Sequence, residues 1–286
     1  MRFDNAVNWQ LETCVMTRCW TFLLGALLIG CLNLGRATAA DAAPSKTYPA
    51  DNLRMIRALG LDLFKALKPK QREMVNPEPV SVETDLTPSI KLEQFTEDNK
   101  TLGFVFVSVG FIDLVNNVAH AKAIDSVEKG YFDKYITSLA QETGVMELRE
   151  LPNITNDKYW TEVVMNDQKS NLRQMVGTAV AIKLAHHYLG HVAKYADKRK
   201  EDAQGNRPPI NTFLTPTEWE DAMRAGVRNA LETGLGVEGI KALYDALDKM
   251  PKRPEWTTYF LPATAKVKPM KKEMEKIEKK FFSGEE

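Results

Sequence analysis

Apolar residues recur at helical spacing through Leu53, Ile56, Leu59, Leu63 and Leu67, which predicts an amphipathic helix from Asp51 to about Lys68. Residues 76–91 contain Pro77, Pro79 and Pro88 with alternating Val80 and Val82, the pattern of extended chain or an edge strand between turns. Gly103 to Val109 (GFVFVSV) is the clearest strand in the chain; Gly110 ends it, and Phe111 to about Ala123 reads as helix. Further helix is predicted over 126–148, then a loop over 149–160 that holds Pro152 and Asn153. Asn171 to about Lys198 is the most hydrophobic helix. From Met175 to Ala185 it is apolar all round except at Thr178 and Lys183, so it is expected to be buried. Residues 199–213 are an exposed loop, and Thr215-Pro216-Thr217-Glu218 opens a helix that runs to about Glu232. Gly234 and Gly236 separate it from a shorter helix at 237–250. The tail, 266–286, is a charged helix with Met270, Met274, Ile277 and Phe281 on one face. The predicted fold class is mainly α with a small β-sheet.

The start of the chain has a different logic. Arg18 precedes an apolar run, Thr21 to Gly30, that is too short for a comfortable membrane span, and Ala37-Thr38-Ala39 offers the small residues a signal peptidase requires. Residues 1–39 are therefore read as a secretory segment, with Met16 a second candidate start because Asp4 and Glu12 ill suit a basic leader. Leu28-Ile29-Gly30-Cys31 resembles a bacterial lipobox, which would lipidate Cys31 and attach the protein to a membrane. The expected location is periplasmic or extracellular, with a membrane-attached lipoprotein as the alternative.

Composition narrows the function classes. Of 286 residues, 44% are hydrophobic and 27% charged, which excludes wholesale disorder. The 38 basic and 38 acidic residues balance. Removing the leader takes three arginines and two acids and leaves 35 and 36, so nothing points to nucleic acid. All three cysteines (Cys14, Cys19 and Cys31) lie in the leader, so the remainder has no disulfide and no thiolate chemistry.

Three of the four histidines fall within six residues, His186-His187-Tyr188-Leu189-Gly190-His191. On a continuous helix His187 and His191 lie on one face a turn apart, the spacing at which two imidazoles reach one zinc ion. The same pair on a buried helix can instead be held by carbonyls and carboxylates without metal. The stretch from Leu184 to Val192 resembles the active-site helix of gluzincin (HExxH) metallopeptidases, in the group of the CAAX prenyl protease, the HtpX heat-shock protease and periplasmic chaperone-proteases. Gly103 to Leu114 resembles the edge strand and helix that precede that motif. Glu220-Asp221-Ala222 with Thr233 to Ile240 resembles the later ligand-bearing helix and its glycine turn.

The resemblance implies a minimal gluzincin-like fold, zinc as cofactor, and His187, His191 and Glu220 as ligands. Glu218 is the alternative third ligand: it fits a capping box with Thr215, whereas Glu220 falls within the apolar arc of Trp219, Met223, Val227, Ala230 and Leu231. It also implies that strand 103–109, with Phe104, Phe106 and Ser108, binds an extended peptide or unfolded protein by strand addition. The family's catalytic glutamate, however, falls at Tyr188. A phenol with pKa about 10 is a poor base at neutral pH, and a general base contributes about 10²–10⁴-fold in rate. A weak or inactive peptidase-like zinc protein is therefore expected. An active hydrolase with His186 as substitute base and a metal-free helical scaffold are the other readings. His120 is a candidate fourth ligand or, more simply, a structural histidine. On this reading the chain divides into the secretory segment (1–39), a helix with an extended linker (40–100), the metallopeptidase-like domain (101–265) and the charged helix (266–286).

Overall fold

The leucine and isoleucine stripe near the start does form a helix, α1 (Asn52–Ala66), which buries Ile56, Leu59 and Leu63. The computed structural model describes residues 52–97, 100–139, 150–201, 207–250 and 253–285. The secretory segment, Cys31 and the processing sites lie outside them. A single turn, α2 (Pro69–Arg72), leads from α1 into β1 (Val75–Glu83). Two further strands follow, β2 (Ile90–Glu97) and β3 (Lys100–Ser108).

The sheet order is β1-β3-β2, with β1 parallel and β2 antiparallel to β3. The β1 register slips between Val75 and Val80, where Pro77 and Pro79 bring no N–H to the ladder. Prolines thus mark an edge strand, as the sequence suggests. β3 is different. It is the central strand, with β1 on one side and β2 on the other, so the strand read as a peptide-binding edge has no free backbone edge. Alternation in β3 buries Gly103, Val105 and Val107 on one face and leaves Phe104 and Phe106 half-buried on the other. Ser108 is buried and structural: its hydroxyl donates to the Thr87 carbonyl (2.7 Å) and accepts from the backbone N–H groups of Ser89 (2.8 Å) and Phe111 (3.0 Å). The last of these caps α3 (Val109–Ile124).

After α4 (Tyr131–Leu139) comes the long α5 (Glu162–Tyr188). It is buried continuously from Met175 to His187, because helices α1 and α3 pack on it together with α7 (Pro216–Glu232) and α8 (Glu238–Lys249). An apolar circumference needs neighbours on every side, and this helix has them. It starts nine residues earlier than the sequence suggests, since the polar first turns still present Val164, Gln168 and Leu172 to the core. It also ends ten residues sooner, at Tyr188. α9 (Val267–Ser283) docks against α7 and α8 through Met270 and Met274, with Ile277 and Phe281 half-buried. Ion pairs from Arg224 to Glu273 (2.9 Å) and from Lys271 to Asp245 (2.6 Å) flank that contact. All the described residues fall within one unit, Lys46–Glu286. Among them no helix is long and apolar enough to cross a membrane.

Candidate functional site

The end of α5 decides how the histidines meet. Leu189 N–H bonds the Ala185 carbonyl at 2.9 Å, but Gly190 takes a left-handed conformation (φ 77°) and stops the helix. Only glycine adopts that geometry without a steric cost. His191 then begins the short helix α6 (His191–Lys194). The five residues from His187 to His191 are thus not one continuous helix face, and the two rings part company.

His187 turns to the sheet. Its Nε2 lies 3.0 Å from the Phe104 carbonyl oxygen, to which it donates, and its Nδ1 has no partner among the described residues. Burial lowers its pKa to about 4 against the opposing pull of the Phe104 carbonyl. The pair that does form is His186 with His191: their Nδ1 atoms are 3.0 Å apart, and the Nε2 of His186 is buried without a partner among the described residues. Burial holds the His186 pKa well below its ordinary value, with Lys183, His191, His187 and Arg199 adding to the effect. His191 is lowered by burial too, although Glu218 and Asp221 pull it upward. Both rings are therefore neutral at pH 7, one carrying the shared Nδ1 proton and the other accepting it.

Neither glutamate is free to complete a metal site. Glu220 is exposed and pairs with Arg224 at 3.1 Å, on the solvent side of α7. Its place within the apolar arc of the sequence does not bury it, because the buried residues are Trp219 and then Ala222 and Met223. Glu218 closes the capping box with Thr215 and also accepts from Lys194 Nζ (2.6 Å) and Tyr195 Oη (2.8 Å). Burial works to raise its pKa, but these donors outweigh it and bring the carboxyl to about 2. Zinc sites usually take three or four protein ligands. Among the described residues no three His, Cys, Asp or Glu side chains converge. As placed, His187, His191 and Glu220 do not fit a zinc ion.

Tyr188, at the general-base position, is half-buried and lines a groove with Asp221, Arg224, Glu232 and Lys276, which none of the histidines lines. Burial and then Glu232 raise its phenol pKa, which makes it a still poorer base. His120 is structural in its contacts: Nε2 lies 2.7 Å from the Tyr159 carbonyl oxygen and the ring meets Trp160 edge-on. Phe104 packs edge-on against Phe95, with ring centroids 5.0 Å apart.

One turn before the histidines, Lys183 carries a different chemistry. It is 4% exposed, and among the described residues its amine makes no hydrogen bond or ion pair. It lines a cavity of about 230 Å³ together with Arg199, Phe106, Ile90, Ile210 and Tyr259. Burial lowers its pKa to about 7, with Arg199 adding to the shift. Arg199, also buried, donates from Nη2 to the Leu92 carbonyl (2.9 Å) and from Nε to the Pro208 carbonyl (3.3 Å). The acids around this cavity are occupied: Glu83 pairs with Lys91, and Glu93 and Glu201 pair with Arg207. The buried wall thus holds a guanidinium and an amine with no carboxylate bound to either among the described residues. Sequence inspection notes Lys183 only as an interruption of an apolar run. A lone lysine on a helix that is apolar all round was the available signal.

Compared with known proteins, the chain matches no family model, no curated protein and no solved structure.

Proposed function

We propose that this protein binds a small organic anion in the cavity lined by Lys183 and Arg199, and that it does so as an exported protein rather than as a metal-dependent peptidase. The observation that carries the reading is buried Lys183, whose amine makes no hydrogen bond or ion pair among the described residues, and buried Arg199 lining the same cavity of about 230 Å³. A buried charge normally has a counter-charge, because an isolated one is costly to desolvate. Here a ligand carboxylate would supply it, with Ile90, Phe106 and Ile210 covering an apolar body. Arg is suited to that task because its planar fork matches a carboxylate with two parallel hydrogen bonds.

The test is calorimetric titration of the purified protein with acetate, benzoate and pyruvate. Saturable binding that weakens about tenfold or more in Arg199→Met supports the reading, that factor being about 1.4 kcal/mol. No binding by any of the three, with the protein folded, removes it.

A second reading keeps zinc. It is favoured by the 3.0 Å between the Nδ1 atoms of His186 and His191, which is near the spacing of two nitrogens that each lie about 2.0–2.1 Å from one zinc. Elemental analysis distinguishes the two readings: about one zinc per chain, lost in a His186→Ala/His191→Ala variant, would favour the metal.

A further inference from the structure

Four basic side chains line the cavity; Lys91 and Arg207 are ion-paired, and the other two, Lys183 and Arg199, are of unlike kind. Arg199 keeps its charge at any physiological pH, because a guanidinium is not deprotonated in proteins. Lys183 does not. Burial leaves a substantial part of its amine uncharged near neutrality, and an uncharged amine is a nucleophile rather than an anion partner. A site built only to hold a carboxylate would gain more from a second permanent charge.

Resting on the anion-binding reading, we propose that Lys183 forms an imine with the carbonyl carbon of a small oxo acid whose carboxylate is held by Arg199. The Lys183 Nζ lone pair attacks the carbonyl carbon and forms the C–N bond. The carbonyl oxygen takes up a proton as the nitrogen gives one up, which yields a carbinolamine. The C–O bond then breaks, water leaves, and a C=N double bond remains. One amine and one carbonyl give one imine and one water, with no oxidant or reductant.

The surroundings suit each step. Ile90, Phe106 and Ile210 provide an apolar part of the lining beside the amine. Glu93 lines the same cavity, where burial pushes its carboxyl upward and Arg207, its ion-pair partner, draws it down. Lys183 is fixed in place by α5, which is buried on all sides at this point. The lysines on the exposed faces, such as Lys194 and Lys249, are ion-paired to Glu218 and Asp133 and do not line this cavity.

Borohydride trapping tests the proposal on the intact protein. Pyruvate or glyoxylate is added at neutral pH, sodium borohydride reduces any imine to a stable secondary amine, and the adduct is mapped by peptide mass spectrometry. The expected result is one adduct per chain, on Lys183, with its yield cut about tenfold or more in Arg199→Met and by excess acetate. Mapping on the unaltered chain does not depend on any variant folding. Adducts scattered over surface lysines, or none at Lys183, overturn the imine. If pyruvate and acetate bind equally well by calorimetry but nothing is trapped, the imine fails while anion binding stands. If neither binds, both fail.

Discussion

A methyl group built on Gly103 would stand 2.2 Å from Cγ of His187, so the imidazole rests directly on the backbone of the central strand. His187 then reaches along that strand to the Phe104 carbonyl oxygen at 3.0 Å. The contact joins α5 to β3 and explains why β3 carries glycine at that position.

Gly103→Ala should therefore cost about 1–3 kcal/mol, the usual penalty for overpacking a closed core. Urea unfolding followed by circular dichroism checks this. An unchanged midpoint would mean that the ring moves aside at no cost.

Stability should fall as pH drops from 6.5 toward 4. The folded pKa of His187, about 4, lies below its ordinary 6.5, so in that window the unfolded chain binds more protons than the folded one. The stabilisation is fully present above pH 6.5 and is lost as pH falls through 4, by up to about 3 kcal/mol at 1.36 kcal/mol per unit. His186 acts in the same direction. Glu218 contributes only at lower pH, where its carboxyl, ionised down to about 2, would have to protonate. Denaturant midpoints measured between pH 5 and 7 should slope less steeply in His187→Gln than in the unaltered protein; an equal slope would remove His187 from the account.

Lys183→Met should stabilise the protein at pH 7 while abolishing borohydride trapping of pyruvate. The amine's folded pKa, about 7, is below its ordinary 10.5, so between those values the unfolded chain again binds more protons and stability rises with pH. The variant lacks this slope. Its advantage, about 1–4 kcal/mol, should be greatest at or below pH 7 and shrink toward pH 10.5. A thermal melt series across pH checks it. A more stable protein that no longer traps the oxo acid is the signature of a residue kept for function.

Tyr188→Glu should not create peptide hydrolysis, because that position opens onto the groove between α7 and α9 rather than onto the histidine pair. The new carboxylate would instead stand near Glu232 and cost about 1 kcal/mol or less. A fluorogenic casein assay decides the point. A sharp rise in cleavage would reinstate the peptidase reading.

Much of the fold is legible in the residue pattern. The apolar stripe of α1, the strand at 103–108, the capping box at Thr215 and the Met270/Met274 face of α9 each carry a local signal strong enough to name the element. β2 has a weaker signal, since IKLEQFTE buries Ile90 and Leu92 at its start and beyond them carries one exposed apolar residue, Phe95, among polar ones. Strand order has no local signature at all: nothing within GFVFVSV distinguishes a central strand from an edge. The site departs from the sequence pattern mainly at one turn, where His187 and His191 do not share a continuous helix. Gly190 is equally compatible with a helix interior and a helix stop, and the choice reassigns His187 to the sheet and His191 to His186. Lys183 was visible, but its meaning depends on Arg199, sixteen positions later and brought near only by the fold.

Gly190 has nothing within 4 Å of where a side chain would begin, so only its left-handed backbone disfavours another residue there. Alanine at that position would meet no wall and would favour continuation of the helix, which swings His191 back toward His187. In mutational terms the chain stands a single step from the histidine geometry of a metal-bearing helix. Lineages carrying different residues at this position are where the two histidine arrangements should be sought side by side.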